Sequence, residues 1–170
     1  MLPELPTLSS AGRAPSPGTV HLFGNLLTFR ARGADTQGIF SLLDCYSAPG
    51  QGAPAHRHVE SEAFFILDGA FEISADGRSR VYHQSEFAYV SSNLAHSFRN
   101  VGTTPGRLLI ITAPAGLHEN FFADAGDIVE PGTTQFPPMM PPDLDRLQAA
   151  AARARMELLP PNSQKTKGNN

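Results

Sequence analysis

Between Thr19 and Thr112 the chain is a succession of short apolar stretches: VHLFGNLLTFRAR, GIFSLLDCY, EAFFIL, AFEIS, SRVYH, EFAYV, HSFRN and RLLIIT. Gly, Asp or Asn breaks the run between them. Each stretch is about the length of a β-strand. The breaks are turn chemistry, with Asp68-Gly69 and Asp76-Gly77 offering positive φ at little cost, as tight hairpins demand. Eight or so strands in antiparallel order imply a closed barrel or jelly roll, so the fold expected is all-β. Composition agrees: Gly and Pro number fifteen each, charged residues are few and tryptophan is absent, which favours short strands and many turns over long surface helices. A chain of 170 residues has room for one ordinary core, and the barrel has no internal repeat, so a second barrel is excluded.

The barrel is expected over residues 19–115. Residues 1–18, MLPELPTLSSAGRAPSPG, lack periodicity and predict an extended or partly disordered arm. They have neither a basic segment nor a continuous apolar core, so no signal peptide is expected. Residues 116–160 predict a helical and Pro-rich segment packed on the barrel. In it GLHENFFADAG reads as a short helix or turn, PPMMPP as a connection, and Asp143 to Met156 as a helix with Leu144, Leu147, Ala151 and Ala154 on one face after Pro142. Residues 161–170 are polar and predict a mobile tail.

Partners are bounded by charge and hydropathy. The formal charge of −3 with scattered Lys and Arg gives no basic face for nucleic acid. The longest apolar run, Leu108 to Ala113, falls far short of the roughly 20 residues of a spanning helix, so no membrane partner is expected and the default location is cytoplasmic. The single cysteine, Cys45, lies in the apolar run IFSLLDCY and reads as a buried, inert thiol.

The segment that carries chemistry is GQGAPAHRHVESEAFFILDG, Gly50 to Gly69. His56 and His58 are two apart, and a strand projects both imidazoles on one side with backbones about 6 to 7 Å apart, close enough to share an ion. Glu62 has the same parity but would lie about 13 Å beyond His58 on a straight strand. The chain must therefore turn at Val59, Glu60 and Ser61, so that Glu62 begins a returning strand beside His58. A fourth donor is His96, which opens a strand after the SSNL turn and shares its inward parity with Phe98 and Asn100. Parity with Glu62 likewise turns Phe64 and Ile66 inwards, so Phe64, Ile66 and Phe98 are the expected pocket residues. Tyr82, Tyr89 and Phe71 read as strand aromatics of the core. His21, His83 and His118 match no such spacing and read as surface or hydrogen-bonded residues.

This segment resembles, position for position, the first motif of the cupin superfamily: Gly50, five residues, His56-x-His58, three residues, Glu62, six residues, Gly69. The second cupin motif is matched by His96, three residues, Asn100. It departs where Ser85, Ser91 and Asn93 stand in place of the usual Gly, Pro and Gly. Asn93 tolerates the left-handed conformation a glycine would supply. The resemblance implies a cupin barrel holding one divalent transition metal (Fe, Mn, Ni, Co, Cu or Zn) on His56, His58, Glu62 and His96. Such a site leaves coordination positions for water, substrate or dioxygen. Glu62 is in addition the expected general base.

One short barrel with a Pro-rich segment and a C-terminal helix is similar to the single-domain bacterial cupins related to quercetin 2,3-dioxygenase. That likeness implies an oxidoreductase, a dioxygenase acting on a flavonol-like or other enolisable aromatic molecule. A metal-dependent isomerase, lyase or polyketide cyclase would use the same site without oxygen. A non-catalytic small-molecule binder would use it without turnover. Pairing through an edge strand predicts a homodimer.

Overall fold

The computed structural model describes residues 18–160, so the arm expected over residues 1–17 and the tail over 161–170 lie outside the described residues. Twelve strands and two helices follow in order: β1 (Thr19–Leu22), β2 (Asn25–Ala31), β3 (Ser41–Ser47), β4 (Gly52–Arg57), β5 (Ser61–Asp68), β6 (Ala70–Ala75), β7 (Arg78–His83), β8 (Phe87–Val90), β9 (His96–Asn100), β10 (Gly106–Ala113), α1 (Leu117–Ala125), β11 (Asp127–Val129), α2 (Leu144–Arg153) and β12 (Glu157–Leu158). The strands form two antiparallel sheets, one of seven in the order β11-β1-β2-β3-β10-β5-β8 and one of five in the order β12-β4-β9-β6-β7.

Period-two alternation decides which side chains enter the barrel. In β5 the buried positions are Glu62, Phe64 and Ile66; in β9 they are His96, Phe98 and Asn100; in β10 they are Gly106, Leu108, Ile110 and Thr112. Phe64, Ile66, Leu108 and Ile110 from the larger sheet meet Phe71, Ile73 and Phe98 from the smaller in one core. Each such side chain contributes about 1.5–3 kcal/mol by leaving water. Cys45 is wholly buried there, and burial pushes its thiol far above the ordinary range.

Turn chemistry acts where it was expected. Asp76 and Gly77, at φ +49 and +75, join β6 to β7 by a two-residue hairpin, and Gly69 at φ +85 joins β5 to β6. One turn was read through. Phe23 and Gly24, at φ +51 and +70, split VHLFGNLLTFRAR into the hairpin β1–β2.

The segment after β10 folds back on the barrel. Helix α2 starts at Leu144, whose side chain is 61% exposed because the buried face begins one turn later at Leu147. It ends at Arg153, short of the expected Met156, because Arg155 enters the left-handed region at φ +51 and the Met156 N–H turns back to Ala151 O at 2.9 Å. The chain then pairs β12 against β4, with Leu158 opposite His56. Arg146 fastens α2 to the end of α1 and the chain that follows it, donating to Asp124 O at 2.8 Å, to Asp127 Oδ1 at 2.7 Å and to Gly126 O.

Candidate metal centre

His56 and His96 are directly opposed in the β4–β9 ladder, Glu62 is the second residue of β5 in the facing sheet, and His58 lies in the turn that joins β4 to β5. Strand β4 ends at Arg57, so His58 occupies the first position of the turn rather than the strand, and Val59 and Glu60 complete the reversal. The ladder bulges between Ala53 and His56. That irregularity accommodates Pro54, which has no N–H to give.

The donor atoms of His56, His58, Glu62 and His96 all lie within 4.8 Å of one another, and all four residues are buried. Glu62 Oε2 accepts from His96 Nε2 at 2.7 Å and from His58 Nε2 at 3.0 Å. On the far side of its ring, His96 Nδ1 donates to Leu94 O at 2.8 Å, and His56 Nδ1 donates to Pro54 O at 2.8 Å. Those carbonyls fix the Nδ1–H tautomer and aim Nε2 at the centre, as metal-binding imidazoles require.

The electrostatics fit a cation. Burial pushes the His56 imidazole down to about 3, with His96 adding to the effect, so it is neutral with a free lone pair. Burial alone would raise the Glu62 carboxyl, but the imidazoles of His118, His58 and His96 outweigh it and hold the group well below the usual carboxylate range. Burial would lower His96, but the Glu62 carboxylate at 2.7 Å outweighs it and raises the ring. Glu62 and His96 thus favour a buried ion pair at the position an ion would take. Donor atoms bonded at about 2.1 Å to one ion stand about 3 to 4 Å apart, so these four need only small movements to close on a divalent metal.

Two residues beside the centre were not legible as part of it. His118, expected at the surface or hydrogen-bonded, is 2% exposed, stacks on His58 with ring centroids 4.7 Å apart, and leaves Nδ1 unpartnered. Burial pushes it down to about 3. The usable signal was spacing: His118, Phe121, Phe122 and Ala125 share one buried face of α1. Glu60, assigned only to the turn, is a buried carboxylate; burial raises it, countered in part by the His118 N–H. Of the other unmatched histidines, His21 is also buried, with Nε2 unpartnered, whereas His83 is exposed.

The expected pocket residues are differently placed. Phe64 and Ile66 are fully buried in the core, and the Phe98 ring lies tilted between Phe64 and Phe71. The small cavity beside the histidines, about 20 Å³, is lined instead by His56, His118, Phe121, Phe122, Met156 and Leu158, with Phe23, Ala53 and Pro54. Strand parity correctly turned the three inwards, but α1 and β12 close the barrel end and supply the cavity wall.

A two-sheet antiparallel barrel with inward histidines and a glutamate at the start of the returning strand defines a class, the cupin fold. Residues 45–112 match the model of the cupin domain. Among curated proteins, quercetin 2,3-dioxygenase of Bacillus subtilis (strain 168) is 28% identical over 98 residues, covering 56% of this chain. The match takes in 28% of that protein's length. Among solved structures, a predicted oxalate decarboxylase from Thermotoga maritima superposes with TM-score 0.54 at 17% identity, covering 58% of this chain and 92% of the other. An RmlC-like cupin from Shewanella frigidimarina gives TM-score 0.52 at 16% identity, covering 60% and 87%. These two likenesses establish the barrel.

Proposed function

We propose that the chain is a metal-dependent cupin enzyme, a dioxygenase acting on a flavonol-like or other enolisable aromatic molecule. The observation that carries the reading is the convergence of four buried donors, His56, His58, Glu62 and His96, on one centre. The likeness to quercetin 2,3-dioxygenase supports the finer assignment. Bound there, a divalent transition metal supplies Lewis acidity and, if redox-active, the means to bring dioxygen and an organic anion together. Glu62 is the only carboxylate of the four. It is the group that would accept the acidic proton of an enol or phenol substrate held at the centre. Phe121, Phe122, Met156 and Leu158 form an apolar wall that keeps water from a reactive intermediate.

The cavity on that wall, about 20 Å³, holds about one water, whereas drug-sized ligands occupy roughly 300–1,000 Å³. A flavonol therefore requires α1 and the β12 segment to move outward. The same tightness favours a second reading, a non-oxidative isomerase or lyase taking a more compact enolisable substrate. Oxygen uptake separates them: the protein loaded with iron, manganese, nickel or cobalt consumes dioxygen with a flavonol under the first, and none with any enolisable phenol under the second. Binding without turnover points to the non-catalytic alternative.

The site itself is tested by metal analysis. His58→Ala and His96→Ala each lower bound metal substantially, and unchanged stoichiometry in either overturns the assignment. A homodimer is part of the proposal, supported by exposed Phe87 and Tyr89 on the edge strand β8. Light scattering at twice the 18.2 kDa chain mass is the expected result.

A further inference from the structure

Each imidazole of the centre turns its Nδ1 towards an oxygen, but the three oxygens differ in kind. For His56 and His96 it is a backbone carbonyl at 2.8 Å. For His58 it is the Glu60 carboxylate, whose Oε2 stands 3.7 Å from Nδ1. That distance is just beyond a hydrogen bond, yet both atoms are buried and neither has any other partner. The second oxygen of Glu60 is fully engaged elsewhere. Oε1 accepts from the backbone N–H of Leu117 and of His118, each at 3.0 Å. These are the first two amides of α1, and the residue before them, Gly116, has no side chain to satisfy them. One carboxylate thus reaches a candidate metal ligand with one oxygen and the N-terminus of the covering helix with the other.

We propose that Glu60 is a positioning residue that couples occupancy of the metal centre to the docking of α1 over it. The inference rests on the metal-centre reading above. A cation on His58 Nε2 withdraws electron density from the ring and makes Nδ1–H a stronger donor, which draws Glu60 Oε2 from 3.7 Å into hydrogen-bond range. The negative charge held there also suits the positive end of α1. The coupling is reciprocal: a docked helix favours the loaded site by the same factor as loading favours docking. His118 rides on this turn of α1, so the clasp also fixes the imidazole that stacks on His58.

The experiment titrates zinc or cobalt(II) into the full-length metal-free protein and its Glu60→Gln variant. It reads affinity by chelator competition, amide exchange over residues 117–125, and the cobalt(II) absorption bands. The glutamine retains an oxygen for the helix amides but cannot accept from His58 as a carboxylate. In the parent, loading slows exchange in α1 by at least about tenfold. In Glu60→Gln, metal affinity falls about 10–100-fold, the cobalt bands shift, and exchange in α1 no longer responds to metal. Parental affinity together with parental slowing in the variant overturns the coupling while leaving the metal centre standing. A parent that takes up neither metal overturns both. Should Glu60→Gln fail to fold by circular dichroism, the parent decides alone: slower α1 exchange on loading supports the clasp, and unchanged exchange overturns it.

Discussion

Ser85 and Asn93 hold backbone that a glycine would hold without cost. They stand at φ +68 and +63, the left-handed region that costs an ordinary L-residue about 1–2 kcal/mol. Asn93 compensates, since its short amide side chain favours that region. Ser85 has no such advantage, and its N–H is committed to Ile66 O at 2.9 Å. Ser85→Gly is therefore expected to raise stability by up to about 1 kcal/mol, the relief of φ less the extra freedom of glycine in the unfolded chain; urea unfolding measures it, and a loss would contradict the account. Asn100 is structural. Its Nδ2 donates to Ser47 O and Thr104 O, each at 3.0 Å, and its Oδ1 accepts from the Gly102 N–H at 2.9 Å. Asn100→Ala should cost about 1–3 kcal/mol in the same assay without reducing metal stoichiometry. At this scale the four donors were legible because parity and a forced turn bring them together. Glu60 was not, because a charged residue in a turn ordinarily faces water, and what buries it is a helix 57 residues further along.

The elements that position the site are set by close approaches. A Cβ on Gly52 would stand 2.0 Å from Phe98 O and 2.8 Å from Arg99 Cα, so β4 lies against β9 only because that position is bare. Gly52→Ala forces the two strands apart at the ladder where His56 faces His96. Its expected effect is a loss of about 1–3 kcal/mol together with weaker metal retention, read by thermal unfolding and metal analysis of one preparation. Strands with clear alternation, such as β5 and β9, were legible in the sequence. The two- and three-residue strands β12 and β11 were not, because pieces that short show no period. Their pairing is fixed by neighbours, β4 for one and β1 for the other.

For the whole molecule, the buried imidazoles set the pH response of the metal-free protein. His56 and His118 are both pushed down to about 3 from an ordinary 6.5. Below pH 6.5 the unfolded chain binds protons on them that the folded chain excludes, so stability falls as pH falls, by about 1.4 kcal/mol per pH unit for each group. His96 is raised, so its stabilisation is complete below 6.5 and is lost as pH rises through its folded value. Metal-free protein should accordingly lose stability between pH 6.5 and about 4.5, and denaturant midpoints across that range check it; a flat profile would contradict the burial of both rings. Saturating zinc is expected to raise the melting temperature at neutral pH, since the four donors come together only in the folded chain. The barrel and its donors were thus readable as pattern. The helix that covers them became visible only in three dimensions.

The pairing of β12 with β4 means that the stretch matching the cupin domain, residues 45–112, lacks part of what covers the centre. An excised fragment of that span would retain His56, His58, Glu62 and His96. It would forfeit the helix over them and the strand beside His56, opening to bulk solvent a chamber that the intact chain covers.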